Sequence, residues 1–202
     1  NEAILLSLGL FSHVRKLEQV EKIRKIYGVW YMRLLKAERT QLERIVAISK
    51  RAFETDVAVG GAVGDYPPEY DSVIWHEQML NEGHLFQAIV DDVLIGGAIL
   101  FLSENKESLY VGRIFVDSLH HKKGYGIALM GLVEKTYPNV KEVNLDTPIW
   151  NVRTNSFYKK LGYIELKQED GFSFYQKNLS MSHAQERRKA CVGACSQEHA
   201  LR

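Results

Sequence analysis

Hydrophobic residues recur along the chain with two different spacings, and the spacing predicts the secondary structure. Between Phe11 and Ile26, apolar side chains recur about every three residues among Lys, Arg and Glu, which is typical of an amphipathic helix. From Tyr31 onward, short apolar runs bounded by turn residues predict strands. The predicted strands cover residues 31–36, 84–90, 93–102, 109–116, 142–145, 163–166 and 172–176.

Four helices are predicted between these strands. Thr40, followed by Glu43 three residues later, forms a capping box that opens the first helix. Its buried face is predicted to carry Leu42, Ile45, Val46, Ser49, Ala52 and Phe53. Asp71 or Ser72 caps the second helix, which runs to residue 80. The third and fourth helices cover residues 126–136 and 153–161, and Gly162 ends the last.

The order of these elements predicts the fold class. It reads β-α-α-β-β-β-α-β-α-β-β, which favours a mixed α/β (α+β) fold with helices flanking a largely antiparallel central sheet. Asp91 and Asp92 form the tight turn of one hairpin, and Gly96-Gly97 inside its second strand indicates a bulge or a close backbone approach.

Composition limits the classes of function. The chain has 202 residues, 46% of them hydrophobic and 25% charged, which suits one sizeable domain. A net charge of +1 gives no global field for nucleic acid or an anionic membrane. No run approaches the roughly 18 apolar residues that cross a bilayer. Because the only two cysteines lie near the end of the chain, the predicted core needs no disulfide, and we expect a cytoplasmic protein.

We predict three segments: a helical extension at residues 1–28, a domain at 29–180 and a polar tail at 181–202. The amphipathic helix predicted between Phe11 and Ile26 is interpreted as a packing or homodimer helix, with a membrane-surface helix as the alternative. In the tail, Cys191 and Cys195 lie near His183 and His199, but they do not show the spacing of a four-ligand zinc site. We therefore predict no metal.

The strongest chemical signal is a strand, a short loop and then Gly124-Tyr125-Gly126 opening a helix. Helix N-termini present unpaired N–H groups, and glycine lets a phosphate approach them. The dinucleotide fingerprint needs Gly or Ala where Leu129 stands, and the P-loop needs Gly-Lys followed by Ser or Thr, which does not occur. A coenzyme A pyrophosphate loop and a tightly packed helix start remain as interpretations.

Two motifs in the correct order resemble the GNAT superfamily of N-acetyltransferases. The first is the family's Gln/Arg-x-x-Gly-x-Gly/Ala loop, which runs here from His121 to Gly126 with His in the Gln/Arg position. The second is the family's closing strand-helix-strand element, represented by Asn151, Thr154, Phe157-Tyr158 and Leu161-Gly162-Tyr163. The resemblance covers roughly residues 31–179 and implies the GNAT fold, with acetyl-CoA as cosubstrate.

The resemblance also implies which residues hold the cofactor. The backbone of the fourth strand would pair with the pantetheine arm, the glycine loop would surround the pyrophosphate, and Asn151 would touch the cofactor near the pantetheine. The implied cofactor-binding residues are Ile114, Phe115, Val116, His121, Lys122, Lys123, Gly124, Tyr125, Gly126, Ile127, Asn151 and Tyr158.

Tyr158 is the candidate general acid, since a phenol can protonate the departing thiolate; the alternative is that it only packs in the core. Something must also accept a proton from the incoming ammonium group. Asp117 and Glu77 are the catalytic candidates for this role, with His76 and Glu107 as further options, and spacing singles out none of them.

The acceptor is expected against the first two helices and their loop. Aromatic and acidic residues are dense at positions 64–78, which suits a cationic amine, and a well-packed structural cap is the alternative. The substrate-binding candidates are Tyr66, Tyr70, Trp75 and His76. The sequence thus predicts an N-acetyltransferase acting on a small-molecule or peptide amine; the alternative is a non-catalytic acetyl-CoA-binding sensor.

Overall fold

A computed structural model describes residues 31–179 and shows a seven-stranded sheet flanked by helices. The strands are β1 (Met32–Lys36), β2 (Leu85–Val90), β3 (Val93–Leu102), β4 (Ser108–Val116), β5 (Glu142–Pro148), β6 (Ile164–Glu169) and β7 (Phe172–Asn178). Their spatial order is β1-β2-β3-β4-β5-β7-β6, and the sheet is largely antiparallel, as predicted. The predictions for the helical extension at 1–28 and for Cys191 and Cys195 lie outside the described residues.

The helices are α1 (Leu42–Phe53), α2 (Val73–Asn81), α3 (Tyr125–Val133) and α4 (Val152–Lys160). None of the helices within residues 31–179 is long and apolar enough to cross a membrane. The order of strands and helices confirms the predicted fold class.

The capping box predicted for α1 is wrong. A short 3-10 turn, Arg39–Gln41, precedes α1, and the Leu42 N–H donates to Arg39 O within that turn. Thr40 Oγ1 instead donates to Glu38 Oε2 at 3.4 Å. The 3-10 turn therefore stands at the start of α1 in place of a threonine cap. Ser72 does cap α2, since its Oγ accepts from Trp75 N at 3.2 Å.

The main core lies between α1, α2 and one face of the sheet. Ile45 and Ile99 are fully buried there, and Phe115 of β4 lies in the same cluster. The predicted inner face of α1 is confirmed, except that Phe53 is only partly buried and Ile48 joins the buried set. Each such side chain contributes about 1.5–3 kcal/mol when it leaves water.

The hairpin of β2 and β3 turns at Asp91 and Asp92, which have φ of 47° and 63°. A two-residue turn of this kind needs positive φ at both positions, and Asp tolerates it. Gly96 on β3 confirms the predicted close approach: a Cβ built there would lie 2.3 Å from Phe115 O on β4.

The parallel pair of β4 and β5 is short, and this shortness leaves an opening in the sheet. Only Ser108–Tyr110 of β4 pair with Glu142–Asn144 of β5. Beyond them β4 continues against β3 to Val116, while β5 continues against β7 to Pro148. The two strands therefore part after Tyr110 and Asn144, and we call the opening between them the split.

Candidate active site

A cavity of about 400 Å³ is bordered by the end of α1, the far half of β4, the start of α3 and α4. Most of the predicted cofactor-binding residues line it. These are Ile114, Phe115, Val116, His121, Lys122, Gly124, Tyr125, Gly126, Ile127 and Tyr158. Elements far apart in the sequence thus meet around one space.

The free edge of β4 offers backbone hydrogen-bonding groups to this cavity. Asp117 N donates to Ile95 O at 2.7 Å, and Phe115 lies opposite Gly97 of β3. Because peptide groups alternate in direction along an antiparallel strand, Ile114 and Val116 direct theirs away from β3, toward the split. An extended ligand could pair with the Ile114 groups and the Val116 N–H. The Val116 carbonyl already accepts from His121 Nε2, and the Phe115 backbone is engaged by β3.

The loop before α3 has the geometry of an anion site. Gly124 is the N-cap of α3 with φ of 82°, a conformation that favours glycine. The first backbone bond of the helix runs from Ala128 N to Gly124 O at 3.1 Å. The N–H groups of Gly126 and Ile127 therefore have no acceptor within the helix, and the helix dipole adds partial positive charge there.

Tight packing does not explain the two glycines. A Cβ at Gly124 would meet nothing within 4 Å, and a Cβ at Gly126 would meet only the Phe157 ring, at an ordinary 3.6 Å. Gly124 is needed for its φ, and Gly126 leaves the cavity wall bare. The geometry therefore favours the phosphate interpretation over a packed helix start.

Tyr158 brings a hydroxyl to the cavity from α4. Its ring is buried at 6% exposure, beside Tyr163 and Tyr175 with centroids 5.8 and 6.0 Å away. No residue within 31–179 forms a hydrogen bond with its hydroxyl, although the side chain lines the cavity. Burial, followed by the negative charges of Asp146 and Asp56, raises the pKa of Tyr158, so the phenol stays protonated at neutral pH.

The profile of the acetyltransferase (GNAT) family matches residues 34–163, which is more than half of the chain. The chain belongs to the acetyltransferase (GNAT) family. None of the curated protein sequences compared with the chain matches it.

Solved structures share the GNAT fold of this chain. The PaiA N-acetyltransferase of Thermoplasma acidophilum in complex with coenzyme A is 21% identical, with a TM-score of 0.61 over 73% of this chain and 99% of its own. A GNAT acetyltransferase of Streptococcus agalactiae is 18% identical, with a TM-score of 0.64 over 74% and 98%. A ribosomal-protein-alanine N-acetyltransferase of Escherichia coli is 19% identical, with a TM-score of 0.56 over 73% and 94%.

In this GNAT domain, His121 lines the cavity but its ring is hydrogen-bonded to β4. Its Nε2 lies 2.8 Å from Val116 O, so the imidazole donates to the carbonyl at the end of β4. Lys122 lines the cavity, while Lys123 Nζ donates to Leu119 O at 3.4 Å and lies outside the wall. The side chain at the family's Gln/Arg position therefore holds the loop in shape.

Asp117 is built into an ion pair instead of facing the cavity. Arg51 donates to both carboxylate oxygens, at 3.2 and 2.5 Å, and Leu119 N donates to one of them at 3.2 Å. Burial alone would raise the pKa of Asp117, but the Arg51 hydrogen bonds, the Leu119 N–H and nearby positive charge together lower it. This carboxylate fixes the start of the loop, and a proton-accepting role would require breaking its pair.

The remaining candidates on α2 and its preceding loop lie away from the cavity wall. Glu77 pairs with Arg39 on the surface. His76 is fully buried, with Nδ1 donating to Ser72 O at 2.8 Å, and burial lowers its pKa. Trp75 packs against the core, and the Arg113 guanidinium lies over the Trp75 ring, 4.0 Å from the ring centroid. Tyr66 lies against Tyr70, with ring centroids 4.8 Å apart. These contacts match the structural-cap alternative.

Asn151 caps α4. Its Oδ1 accepts from Thr154 N at 3.2 Å, the residue is 2% exposed, and it is not among the residues that line the cavity.

Sequence reasoning missed Asp56 and Arg153, which form an ion pair in the cavity wall. Burial raises the pKa of Asp56, partly offset by Arg153. No local pattern marks this pair, because its members are 97 positions apart.

Within residues 31–179, no group of three or more His, Cys, Asp or Glu side chains is placed to hold a metal ion.

Proposed function

We propose that this GNAT chain is an acetyl-CoA-dependent N-acetyltransferase that moves the acetyl group directly to a primary amine. One observation carries the proposal: a single cavity joins the exposed N-terminus of α3 to Tyr158, whose hydroxyl has no hydrogen-bond partner among residues 31–179. Such an arrangement suits a long substrate with phosphates at one end and a reactive thioester at the other.

The chain has matching groups for each part of coenzyme A. The N–H groups of Gly126 and Ile127, with Lys122 beside them, suit the pyrophosphate. The outward peptide groups of Ile114 and the outward N–H of Val116 suit the amides of the pantetheine arm, which would add as an extended strand at the open edge of β4. The solved structure from Thermoplasma acidophilum, which contains coenzyme A, supports this choice of cosubstrate.

Acetyl transfer breaks the carbon–sulfur bond of the thioester and forms a carbon–nitrogen bond. The departing thiolate takes the phenolic proton of Tyr158, the amine nitrogen returns a proton to the phenolate, and the remaining proton of the ammonium passes to water. A phenol with a raised pKa can serve here because a thiolate expelled into the same buried site is also a stronger base than in water. Holding both substrates together supplies much of the acceleration.

The acceptor is proposed to be an amine of a small molecule or of a peptide. The related E. coli enzyme acts on an alanine of a ribosomal protein, which supports a peptide N-terminus. An acceptor screen should therefore contain both an alanine-first peptide and small alkyl amines.

The test compares Tyr158→Phe with the wild type by thiol release and calorimetry. We expect kcat to fall by about 10²- to 10⁴-fold because the general acid is lost, while coenzyme A affinity stays unchanged. Tyr163→Phe is the matched control: Tyr163 is a neighbouring buried tyrosine that is not among the cavity-lining residues, and its hydroxyl donates to Glu134 at 3.1 Å. Normal turnover by Tyr158→Phe would remove the general-acid role. Coenzyme A binding without thiol release for any amine would favour the sensor alternative.

A further inference from the structure

A carboxylate and a phenol meet at the point where β4 and β5 part. Tyr110 is the last β4 residue that pairs with β5, and its partner there is Asn144. Asp146 lies two residues further along β5. The Tyr110 hydroxyl donates to Asp146 Oδ1 across the opening. Tyr110 is 40% exposed and Asp146 is partly exposed, so both can be reached from solvent.

This pair lies on the sheet face opposite α4. Thr147 of β5 faces α4, since its Oγ1 lies 2.6 Å from Thr154 Oγ1. Successive strand residues point to opposite faces, so Asp146 faces the other side. Tyr110 points there too: it lies opposite Phe101 of β3, which packs against the core under α1 and α2. Tyr158 therefore approaches the split from one face, and Asp146 approaches it from the other.

Asp146 differs from the other carboxylates near the site in having no cation. Asp56 pairs with Arg153, and Asp117 pairs with Arg51. No Lys, Arg or His within the described residues lies within 4 Å of the Asp146 carboxylate, whose neighbour is a neutral phenol. Burial, then the hydrogen bond to Asp146 and its charge, raises the pKa of Tyr110, which keeps that phenol a donor.

Asp146 also lies close to the reacting end of the cavity: its neighbour Thr147 contacts Thr154 of α4, which lines the cavity wall. After burial, its charge is the largest influence that raises the pKa of Tyr158, ahead of Asp56 and Tyr110. Charges act strongly only over short distances. An uncompensated negative charge beside the general acid attracts a cation to that position.

We propose that Asp146, oriented by Tyr110, binds the ammonium group of the acceptor, which enters the split from the α1 and α2 face. This rests on the proposed function and assigns the substrate-binding carboxylate that the sequence did not identify. The acceptor class is a primary amine that is charged at neutral pH, and Asp146 places its nitrogen opposite Tyr158.

The test uses steady-state kinetics with acceptors of different charge. The cationic probes are 1,4-diaminobutane and an alanine-first peptide, and the uncharged probe is methoxyamine. For Asp146→Asn we expect KM for the cationic acceptor to rise by about tenfold or more, because a hydrogen bond to a charged group is lost. KM for methoxyamine and the affinity for coenzyme A should not change. Tyr110→Phe should raise KM for the cation by about threefold, as one neutral hydrogen bond is lost.

Salt gives a second readout that does not depend on methoxyamine. Added NaCl should raise KM of the wild type for the cationic acceptor and leave KM of Asp146→Asn nearly constant, since the attraction being screened is gone. Glu142→Gln is the matched control. It removes a charge on the same face of β5, at the paired end of the strand, and should leave KM unchanged.

The outcomes separate this inference from the proposed function. If the wild type acetylates a cationic amine and Asp146→Asn keeps its KM and salt dependence, the ammonium site is overturned while the acetyltransferase stands. An equal loss with methoxyamine, or a weakened affinity for coenzyme A, would show a structural role and also overturn it. Failure of the wild type to release thiol with any amine removes the proposed function, and the ammonium site with it.

Discussion

The two ends of the β4–β5 pair are built differently. At the paired end, three residue pairs form a parallel ladder, Asn144 Nδ2 donates to Ser108 Oγ at 2.9 Å, and Lys141 pairs with Glu107. At the other end no ladder joins the strands, and the contact described across the opening is one side-chain bond, from Tyr110 to Asp146. One pair of strands serves as a scaffold at its start and leaves an opening at its end, where we propose that the substrates bind.

This difference shows where the fold leaves backbone groups without a second neighbouring strand. Buried peptide groups are nearly always hydrogen-bonded, because leaving them unpaired is costly. The outward groups of Ile114 and Val116 border a cavity instead of a strand. The open half of β4 therefore depends on β3 for its sheet pairing, and its stability should be sensitive to changes in β3.

The largest effect is expected from Gly96→Ala, which tests that dependence. The added methyl group would lie 2.3 Å from Phe115 O, so β3 and β4 must separate at the open half. We expect the free energy of unfolding to fall by about 3 kcal/mol, the upper range for overpacking, as measured in urea. Coenzyme A affinity should fall as well.

Gly112→Ala is the matched comparison for this change. Its methyl group would meet the Phe101 ring, 2.6 Å away, which can move more easily than backbone. A loss of about 1 kcal/mol is expected, at the lower end for overpacking. Equal losses for the two variants would show that the close approach of Gly96 to the β4 backbone constrains the fold no more than contact with a movable side chain does.

An intermediate effect is expected from Gly126→Val, which adds a side chain to the cavity wall at the start of α3. The new Cβ would contact Phe157 at an ordinary 3.6 Å, so the fold should tolerate it, but its methyl groups would occupy the cavity wall. Coenzyme A affinity should weaken by about 10- to 100-fold, since one charge-assisted hydrogen bond is lost, with the melting temperature nearly unchanged.

The control for this variant lies in the same helix. A Cβ at Gly131 would meet nothing within 4 Å, so Gly131→Ala should keep the wild-type affinity. Unchanged affinity in Gly126→Val would contradict the assignment of this loop to the pyrophosphate.

The smallest effect is expected from Asp117→Asn, which removes the charge that holds the loop. Because the pKa of Asp117 is lowered in the folded state, its ionised form stabilises the protein above the unfolded pKa of about 3.9. That contribution is lost as the pH falls below about 4 through the folded pKa. At pH 7 the variant should be less stable by about 1 kcal/mol.

Urea unfolding at several pH values tests this prediction. The difference between the wild type and Asp117→Asn should shrink as the pH drops from 5 toward 3. A constant difference over this range would mean that the charge of Asp117 does not stabilise the fold.

Hydrophobic spacing predicted the strands and helices of the described domain because those signals are local. The type of each element and the Asp91-Asp92 turn followed from patterns within a few residues. The start of α1 was predicted wrongly at Thr40, since a cap and a 3-10 turn compete for the same backbone donors and the sequence does not show which prevails.

The parts of the candidate site that lie within short motifs were predictable from the sequence. The parts formed by residues far apart in the sequence were not. The glycine loop and Tyr158 belong to short motifs, and the structure brings both to one cavity. Asp146 meets Tyr110 across 36 positions, and Asp56 meets Arg153 across 97. Such pairs depend on how distant elements pack together, and tertiary packing leaves no periodic signal in the sequence.

The hydrogen bond from His121 to Val116 O has a consequence for any chain laid along β4. It occupies the last outward carbonyl of the strand, so an incoming extended molecule finds that acceptor already used. The imidazole therefore limits how far such a molecule can pair along β4, and in this way it fixes the register of that pairing.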